Sequence, residues 1–199
     1  MSEQNKVYNI NETATIADPG PLGLACFALT TFCLSLVNAG IVNAQAEMIV
    51  LMLALVYGGT VQIFAGMWEF KKNNVFGATA FSSYGSFWVA FALYVLGASS
   101  FGWFEANGAA VAMFLIGWTI FTAYMWIGTF ALNNGLLVTF TLLLITFILL
   151  DIGHVSNPIF NKFGGYFGLA TAFSAWYCSA AGILNTVYKR AVLPMGPRQ

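Results

Sequence analysis

The stretch LLVTFTLLLITFILL, residues 136–150, carries no charged side chain, no glycine and no proline. With its flanks it extends over 135–153, close to the roughly 20 apolar residues that a helix needs to cross the hydrocarbon core of a bilayer. A run this long and this apolar has no place on the surface of a soluble protein. It therefore predicts a transmembrane helix.

Five further blocks of similar length surround this segment, and short polar or Gly/Asn-rich turns separate them. Only 7% of the chain is charged and 59% is hydrophobic, whereas a soluble domain carries about 25% charged residues. The sequence thus predicts an all-α polytopic membrane protein, with a transmembrane domain over 21–188 between tails over 1–20 and 189–199. The six predicted helices are 21–41, 47–69, 75–97, 108–131, 135–153 and 164–188.

The distribution of Lys and Arg predicts the orientation of the chain. An even number of spans places both termini on one side, together with the loops after the second and fourth helices. Six of the seven basic residues fall on that side, and Lys162 falls on the other. Because basic residues concentrate in cytoplasmic loops, we expect a multi-pass cell-membrane protein with both termini in the cytoplasm. The six residues are Lys6, Lys71, Lys72, Lys189, Arg190 and Arg198.

Composition and motifs also exclude several classes of function. Equal numbers of acidic and basic residues give zero net charge, so no nucleic-acid partner is expected. Cys26, Cys33 and Cys178 lie inside apolar blocks and are interpreted as packing residues. The single histidine, His154, lies beside Asp151 just past the predicted fifth helix, and two such residues do not make a metal site. Phosphate-loop, nucleophile-elbow and HExxH motifs do not occur, so we expect neither a cofactor nor an enzyme.

Residues 1–17 are polar and lack the apolar core of a signal peptide, so the first transmembrane helix is expected to direct insertion. The sixth helix carries small residues at steps of four or three, and a similar stripe occurs in the third. Such stripes predict close helix packing in a membrane. They are Gly164, Gly168, Ala172, Ala175, Ser179 and Gly182 in the sixth helix, and Ala78, Ser82 and Ser86 in the third.

The first helix has a mixed polar and aromatic face. It consists of Phe27, Thr31, Leu34 and Asn38 at helical spacing, with Thr30 beside it. Hydroxyls, an amide and an aromatic ring together suit a narrow, semi-polar passage. They suit hydrogen bonding between helices equally well.

The second and third helices also carry polar groups inside their spans. Gln62 lies near the middle of the second helix, where an unpaired amide is costly in lipid, so it either lines a pore or bonds a neighbouring helix. Glu69 follows seven residues later on the same face, next to two lysines that offer an interfacial ion pair. Tyr84 lies deep in the third helix, where a phenol needs a partner. No span carries a central Lys, Arg or Asp, which argues against a proton-pump relay or a voltage sensor.

Three motifs and the C-terminal tail resemble the acetate uptake transporter family, the bacterial, archaeal and fungal acetate/succinate permeases. The first helix begins with Asp18-Pro19-Gly20-Pro21-Leu22-Gly23-Leu24, where the family has Asn-Pro-Ala-Pro-Leu-Gly-Leu. The second helix matches through Tyr57-Gly58-Gly59, Gln62, Ala65-Gly66 and Glu69. The third matches through Phe76-Gly77, Thr79-Ala80-Phe81 and the run SYGSFW at 83–88, and the tail through 191–196.

This resemblance implies six-helix protomers assembled as homo-hexamers, each with its own pathway for acetate and similar small monocarboxylates, and in some members for succinate. It also implies a hydrophobic constriction, which falls on Phe27, Tyr84 and Leu143 at the matching positions. The position of Leu143 follows from aligning the anchors at 128–129 and 152–153. Asp18 departs from the family, because it places a carboxylate where the family has an amide. That carboxylate could repel an anion, be protonated or be capped by helix N–H groups.

An apolar constriction selects by dehydration, and a carboxylate that passes it needs donors. The candidates are Thr30, Thr31, Asn38, Gln62 and the phenol of Tyr84, with Glu69 also on the expected pathway. With no basic residue inside the spans, we expect weak, multi-site passage of acetic acid, or of acetate with a proton, and the sequence favours neither a channel nor a symporter. A channel for a small neutral solute such as urea and a non-transporting membrane scaffold remain as alternatives.

Overall fold

The computed structural model describes residues 16–198. Within this range it contains six helices long and apolar enough to cross a membrane, which confirms the prediction from the sequence. Residues 1–15, which hold Lys6 and most of the predicted N-terminal tail, lie outside the described part. The helices are α1 (Gly20–Asn38), α2 (Ala44–Lys71), α3 (Val75–Ser99), α4 (Gly108–Thr129), α5 (Asn134–Val155) and α6 (Ile159–Tyr188).

Asparagine side chains fix where three of these helices begin. Asn74 accepts a hydrogen bond from the backbone N–H of Gly77 at the start of α3. Asn107 and Asn133 cap α4 and α5 in the same way. An Asn oxygen at this position satisfies one of the backbone donors that a first turn leaves free. The polar turns seen in the sequence are therefore helix caps as well as loops.

Three predicted boundaries differ from the structure by three residues or more, and one of them is the start of the second helix, at Ala44 instead of 47. The first helix ends at Asn38, because Gly40 takes a positive φ of 71° that stops the helix. The sixth helix begins at Ile159 instead of 164, because Pro158 suits the start of a helix and the Asn157 side chain accepts the Ile159 N–H. His154 lies in the last turn of α5, not in the loop after it.

The second helix is interrupted by a wide π-helical turn over Val56–Val61, which contains the glycine pair of the Tyr-Gly-Gly motif. The buried positions Ala54, Gly58 and Gln62 follow one another at steps of four: Ala54 before this turn, Gly58 within it and Gln62 directly after it. Steps of four drift around an ordinary α-helix of 3.6 residues per turn, and a wider turn absorbs that drift. The π-helical turn thus keeps Gln62 facing the inside of the bundle.

Small residues bring the helix backbones together; Gly168 and Ser82 belong to the predicted stripes, whereas Gly165 and Gly66 do not. Gly165 of α6 lies directly against the backbone at the end of α1, and Gly168 faces Ser35 of the same helix. Gly66 of α2 lies against Ser82 of α3. A Cβ atom at any of the three glycines would collide with these neighbours. Helices α1, α6 and α5 consequently pack side by side, and α2 packs on α3.

Large aromatic side chains fill the gap between α3 and α4. Phe87 of α3 stacks on Phe114 of α4 with ring centroids 5.2 Å apart. Tyr84 meets Phe121 edge-on at the same centroid distance. Because rings hold helices further apart than glycines do, this side of the bundle is spaced by side chains. The ring of helices encloses a central space.

The C-terminal residues fold back across one end of the bundle. The N–H groups of Asn134 and Gly135 donate to the carbonyls of Gly196 and Met195, at 2.8 and 3.1 Å. Asn185 of α6 accepts from two backbone N–H groups of the same segment. The predicted tail is therefore tied to α5 and α6 over 192–198.

Candidate functional site

Three cavities follow one another through the centre of the bundle, and we call them the first chamber, the middle compartment and the second chamber. Their volumes are about 290, 40 and 360 Å³. Neighbouring cavities share wall residues, and we call the line of the three cavities the passage. Its wall runs from Asp18, two residues before α1 and in the first chamber, to Asn38 at the end of α1, in the second. The 19 residues of α1 rise by roughly 28 Å, close to the thickness of the hydrocarbon core.

The first chamber meets the middle compartment at three side chains. Phe27, Tyr84 and Leu143 are the residues common to the walls of both cavities. The rings of Phe27 and Tyr84 lie with centroids 5.7 Å apart, and Leu143 of α5 is buried beside them. These are the three positions that the family resemblance implies as the constriction. Phe140, which the sequence did not single out, extends the aromatic wall, with its ring centroid 6.2 Å from that of Tyr84.

The phenol of Tyr84 has a partner that the sequence did not reveal. Its oxygen lies 2.9 Å from Oγ1 of Thr122 in α4, and either atom can donate. Tyr84 is 3% exposed and Thr122 is fully buried. The hydroxyl of Tyr84 is therefore engaged with Thr122, which leaves its ring as the part that can contact a solute.

Gln62 and Glu69 both line the first chamber. Gln62 is completely buried, and neither its Oε1 nor its Nε2 has a hydrogen-bond partner among residues 16–198. Glu69 is also buried and accepts a hydrogen bond from Nδ2 of Asn74 at 2.8 Å. The seven-residue spacing thus places an amide and a carboxyl group at the wall of one cavity.

Asp18, at the wall of the first chamber, forms an ion pair and a hydrogen bond with neighbouring groups. Its Oδ1 lies 3.0 Å from Nζ of Lys72 and accepts the N–H of Gly20 at 3.1 Å. Of the three effects expected for this carboxylate, the structure shows the hydrogen bond with an N–H group at the start of α1. The ion pair with Lys72 was not expected from the sequence. Pro21 lines the chamber beside Asp18, while Pro19 and Gly23 close the first turn through a hydrogen bond of 3.0 Å.

The two neighbouring threonines of α1 point to different places. Thr30 donates to the carbonyl of Cys26 at 3.0 Å and packs against Gly58 of the π-helical turn, away from the three cavities. Thr31 lines the middle compartment, together with Trp88. The candidate donor Thr30 is therefore a packing residue between α1 and α2. Trp88 was seen in the sequence as part of a motif, but no pattern marked it as a wall residue.

The second chamber lies at the other end of the bundle. Asn38, the last residue of the polar face of α1, lines both this chamber and the middle compartment. Glu47 and His154 supply further polar groups at its wall. Among residues 16–198, no Lys or Arg lines any of the three cavities. The ammonium of Lys72 lies close to the wall of the first chamber, 3.0 Å from Oδ1 of the lining residue Asp18.

The C-terminal segment also contributes to the first chamber, through Met195. Asn185, which anchors that segment, lies at the same wall. Met195 could not be found from helical periodicity, since a residue after the last helix reaches the cavity only when the chain folds back. Asn185 lies within α6 and was not singled out in the sequence.

Six helices able to span a membrane, arranged around a line of three cavities, are typical of a membrane protein of the channel and transporter class. The chain belongs to the GPR1/FUN34/yaaH family, whose sequence profile matches residues 2–196. This confirms the resemblance read from the motifs.

Known relatives carry names of acetate transport. The chain is 41% identical to acetate permease A of Emericella nidulans, over 96% of this chain and 70% of that protein. It is 39% identical to the succinate-acetate/proton symporter SatP of Escherichia coli K12, over 91% of this chain and 96% of the relative. The solved structure of the bacterial acetate channel SatP superposes with a TM-score of 0.88 at 38% identity, covering 92% of this chain and 100% of that one.

Proposed function

We propose that this protein transports acetate and related small monocarboxylates, and succinate as a further substrate, through the passage in each protomer. The observation that carries the proposal is the line of three cavities along the full length of α1. The names of the relatives give the substrate class. The proposal assigns the protein no enzymatic step.

In this proposal Phe27, Tyr84 and Leu143 form the constriction. Their apolar surfaces offer nothing to replace the hydration shell of an ion, so a hydrated solute loses water to pass. Acetate has a methyl end that tolerates such surfaces, and it is small. The hydrogen bond between Tyr84 and Thr122 supports a role for the tyrosine ring as a fixed wall.

Gln62 is the proposed donor on the first-chamber side of the constriction. A buried amide without partners costs roughly 1–3 kcal/mol, and native proteins keep such groups rarely. The Nε2 of Gln62 can donate to a carboxylate oxygen that reaches the constriction. A solute in transit would then satisfy a group that the fold leaves without a partner.

Glu69 makes the first chamber unfavourable for two negative charges at once. A carboxylate substrate close to an ionised Glu69 is repelled at short range. Passage of neutral acetic acid, or of acetate while Glu69 holds a proton, avoids this repulsion. The chamber is therefore compatible with both a channel and proton symport.

Uptake of labelled acetate into proteoliposomes tests the proposal. We expect uptake above that of protein-free liposomes, and no comparable uptake of labelled urea. The variants Phe27→Ala and Tyr84→Ala should alter acetate flux without loss of assembly, whereas Phe64→Ala, on an exposed position of α2, should not. Equal flux in all of these variants would point to a scaffold, and faster passage of urea would point to a neutral-solute channel.

A pH gradient decides between the two modes of transport. The same uptake is measured with and without an inward proton gradient, and protein-free liposomes correct for acetic acid that crosses lipid unaided. Uptake that does not respond to the gradient would contradict proton coupling.

We also propose that the protomers assemble as hexamers in the cell membrane with both termini in the cytoplasm. The basic residues at 71–72 and 189–190 support the orientation, and the family resemblance supports the hexamer. Large apolar side chains such as Met113, Ile120 and Ile127 are exposed on single protomers and suit contact with lipid or a neighbouring protomer. Native mass spectrometry and labelling of terminal cysteines from either side of the membrane test the two points. A monomeric mass, or labelling of the termini from outside, would contradict them.

A further inference from the structure

Two residues that line the middle compartment carry buried hydrogen-bond donors without partners. The donors are Nε1 of Trp88 and Oγ1 of Thr31, and neither has a hydrogen-bond partner among residues 16–198. Trp88 is 3% exposed and Thr31 is 7% exposed. Both residues line this compartment, just past the constriction when viewed from the first chamber. They come from different helices, α3 and α1, so the fold brings the two donors to one cavity.

Thr31 departs from the usual behaviour of threonine in this protein. A threonine in a helix commonly donates to the carbonyl four residues earlier, and seven others here do so. Thr31 has no such bond, although its neighbour Thr30 does. Its hydroxyl thus remains without a partner in a residue that lines the passage. The seven are Thr30, Thr119, Thr139, Thr141, Thr146, Thr171 and Thr186.

The indole N–H of Trp88 restricts which ligands can bind in the middle compartment. An indole N–H donates and cannot accept, so its partner has to be an acceptor. Buried tryptophans usually have such a partner. Of the other polar groups at this wall, Tyr84 bonds Thr122 and Thr146 bonds the carbonyl of Leu142, whereas the side chains of Ser35 and Asn38 have no hydrogen bond among residues 16–198. Trp88 and Thr31 are the lining residues whose donors are both buried and without a partner, and no charged residue lines the compartment.

The size of the compartment limits what it holds. Its volume is about 40 Å³, and one water-sized group needs about 10–15 Å³. Roughly three such groups fit, close to the four heavy atoms of acetate. Apart from the two donors, most of the wall is apolar, with Leu34, Phe87 and Phe147 among its residues. A ligand that fits has a group with two acceptor atoms and a short apolar remainder.

We infer that Trp88 and Thr31 form a carboxylate-binding subsite on the far side of the constriction, in which the indole N–H and the threonine hydroxyl each donate to one carboxylate oxygen. This inference rests on the proposed function and extends it. Gln62 and this subsite then flank the apolar ring, so that the carboxylate regains hydrogen bonds immediately after it crosses. Neutral donors hold an anion weakly, which allows rapid release into the second chamber.

The test uses the full-length protein in lipid with ¹⁵N-indole-labelled tryptophan. Trp88→Phe identifies the Trp88 signal, and acetate is then titrated. We expect that signal to shift and to saturate with acetate, while the signal of Trp176, which lines none of the three cavities, stays in place. A Trp88 signal that does not move at acetate concentrations that saturate flux would overturn the inference, since the compartment would then hold water alone.

Kinetics of the variants give a second readout. Thr31→Val keeps the shape of the side chain and removes only the hydroxyl, so it tests the subsite even if Trp88→Phe disturbs folding. A hydrogen bond to a charged group such as a carboxylate changes a binding constant by a factor of about 10 or more. We expect the half-saturating acetate concentration to rise about tenfold or more in each variant, and unchanged values for the matched controls Thr129→Val and Trp176→Phe. Unchanged values for Thr31→Val would also overturn the inference.

The two levels of the proposal fail in different ways. Absence of acetate flux in the unmodified protein would overturn the proposed function. The subsite is decided by the shift of the Trp88 signal, which requires binding and not flux. A saturable shift without flux would leave a carboxylate site in a protein that does not transport acetate.

Discussion

Replacing Tyr84 by Phe separates the ring of this residue from its hydroxyl. The phenol oxygen of Tyr84 lies 2.9 Å from the hydroxyl of Thr122. Among the described residues, the Thr122 hydroxyl makes no other hydrogen bond. The ring of Tyr84 lies against Phe27 and Phe121, with centroids 5.7 and 5.2 Å away. A Phe ring keeps these contacts and the width of the constriction. We therefore expect acetate flux within about twofold of the unmodified protein.

The stability of the variant should fall by an amount set by Thr122. A buried hydroxyl that loses its partner costs roughly 1–3 kcal/mol. Thr122 is able to turn towards the carbonyl of Trp118, four residues earlier, as other threonines of this protein do. The free energy of unfolding should thus fall by about 1 kcal/mol, at the low end of that range. Reversible unfolding in mixed micelles measures the difference.

The double variant Tyr84→Phe with Thr122→Val provides the control. Removing both partners of a buried hydrogen bond is nearly neutral, whereas removing one leaves the other unsatisfied. The double variant should therefore be as stable as the unmodified protein, within about 0.5 kcal/mol. A change of more than fivefold in flux for Tyr84→Phe would refute the reasoning, because the hydroxyl would then act on the substrate. A double variant less stable than the single one would refute the energetic part.

Three further outcomes are expected. Gly165→Ala should lower the free energy of unfolding by more than about 2 kcal/mol, because the added Cβ would meet the backbone at the end of α1. Gly117→Ala is the control: nothing lies near its added Cβ, so it should raise the free energy of unfolding by about 0.5–1 kcal/mol. Equal effects of the two substitutions would contradict the packing described. Gln62→Leu should raise the half-saturating acetate concentration several-fold without loss of stability, because it removes an amide that has no partner; an unchanged concentration in uptake assays would exclude Gln62 as a donor. Asp18→Asn should change the free energy of unfolding by less than about 0.5 kcal/mol, because the ion pair with Lys72 is exposed and Asn also caps a helix. Thermal unfolding measures this change. A larger loss would show that the ion pair stabilises the end of the first chamber.

The polar face of α1 shows how far sequence reasoning reaches into the site. Its spacing placed Phe27, Thr31, Leu34 and Asn38 on one side, and all four line the middle compartment. Thr30 was included as a candidate donor, yet it faces Gly58 instead. Two adjacent residues on a helix point about 100° apart, so periodicity defines a face but not which edge of that face reaches the passage.

The residues that the sequence missed depend on contacts between distant segments. Thr122 meets Tyr84 across 38 positions of sequence, and Met195 reaches the first chamber because the tail folds back. The π-helical turn over Val56–Val61 also lacks a periodic signal, since it breaks the periodicity of its own helix. A glycine pair ahead of a buried amide is the one hint of it in the sequence.

The sequence by itself determined the class of the protein, the number of its helices and the family to which it belongs. It could do so because the thickness and apolarity of a bilayer impose the length and composition of every span. The tertiary structure alone decided which polar atoms remain without partners, and therefore where the passage offers donors. Trp88 and Thr31 are ordinary residues in their own helices. They become free donors at one cavity only when α1 and α3 pack together, because hydrogen-bond satisfaction is a property of the packed bundle and not of a single helix.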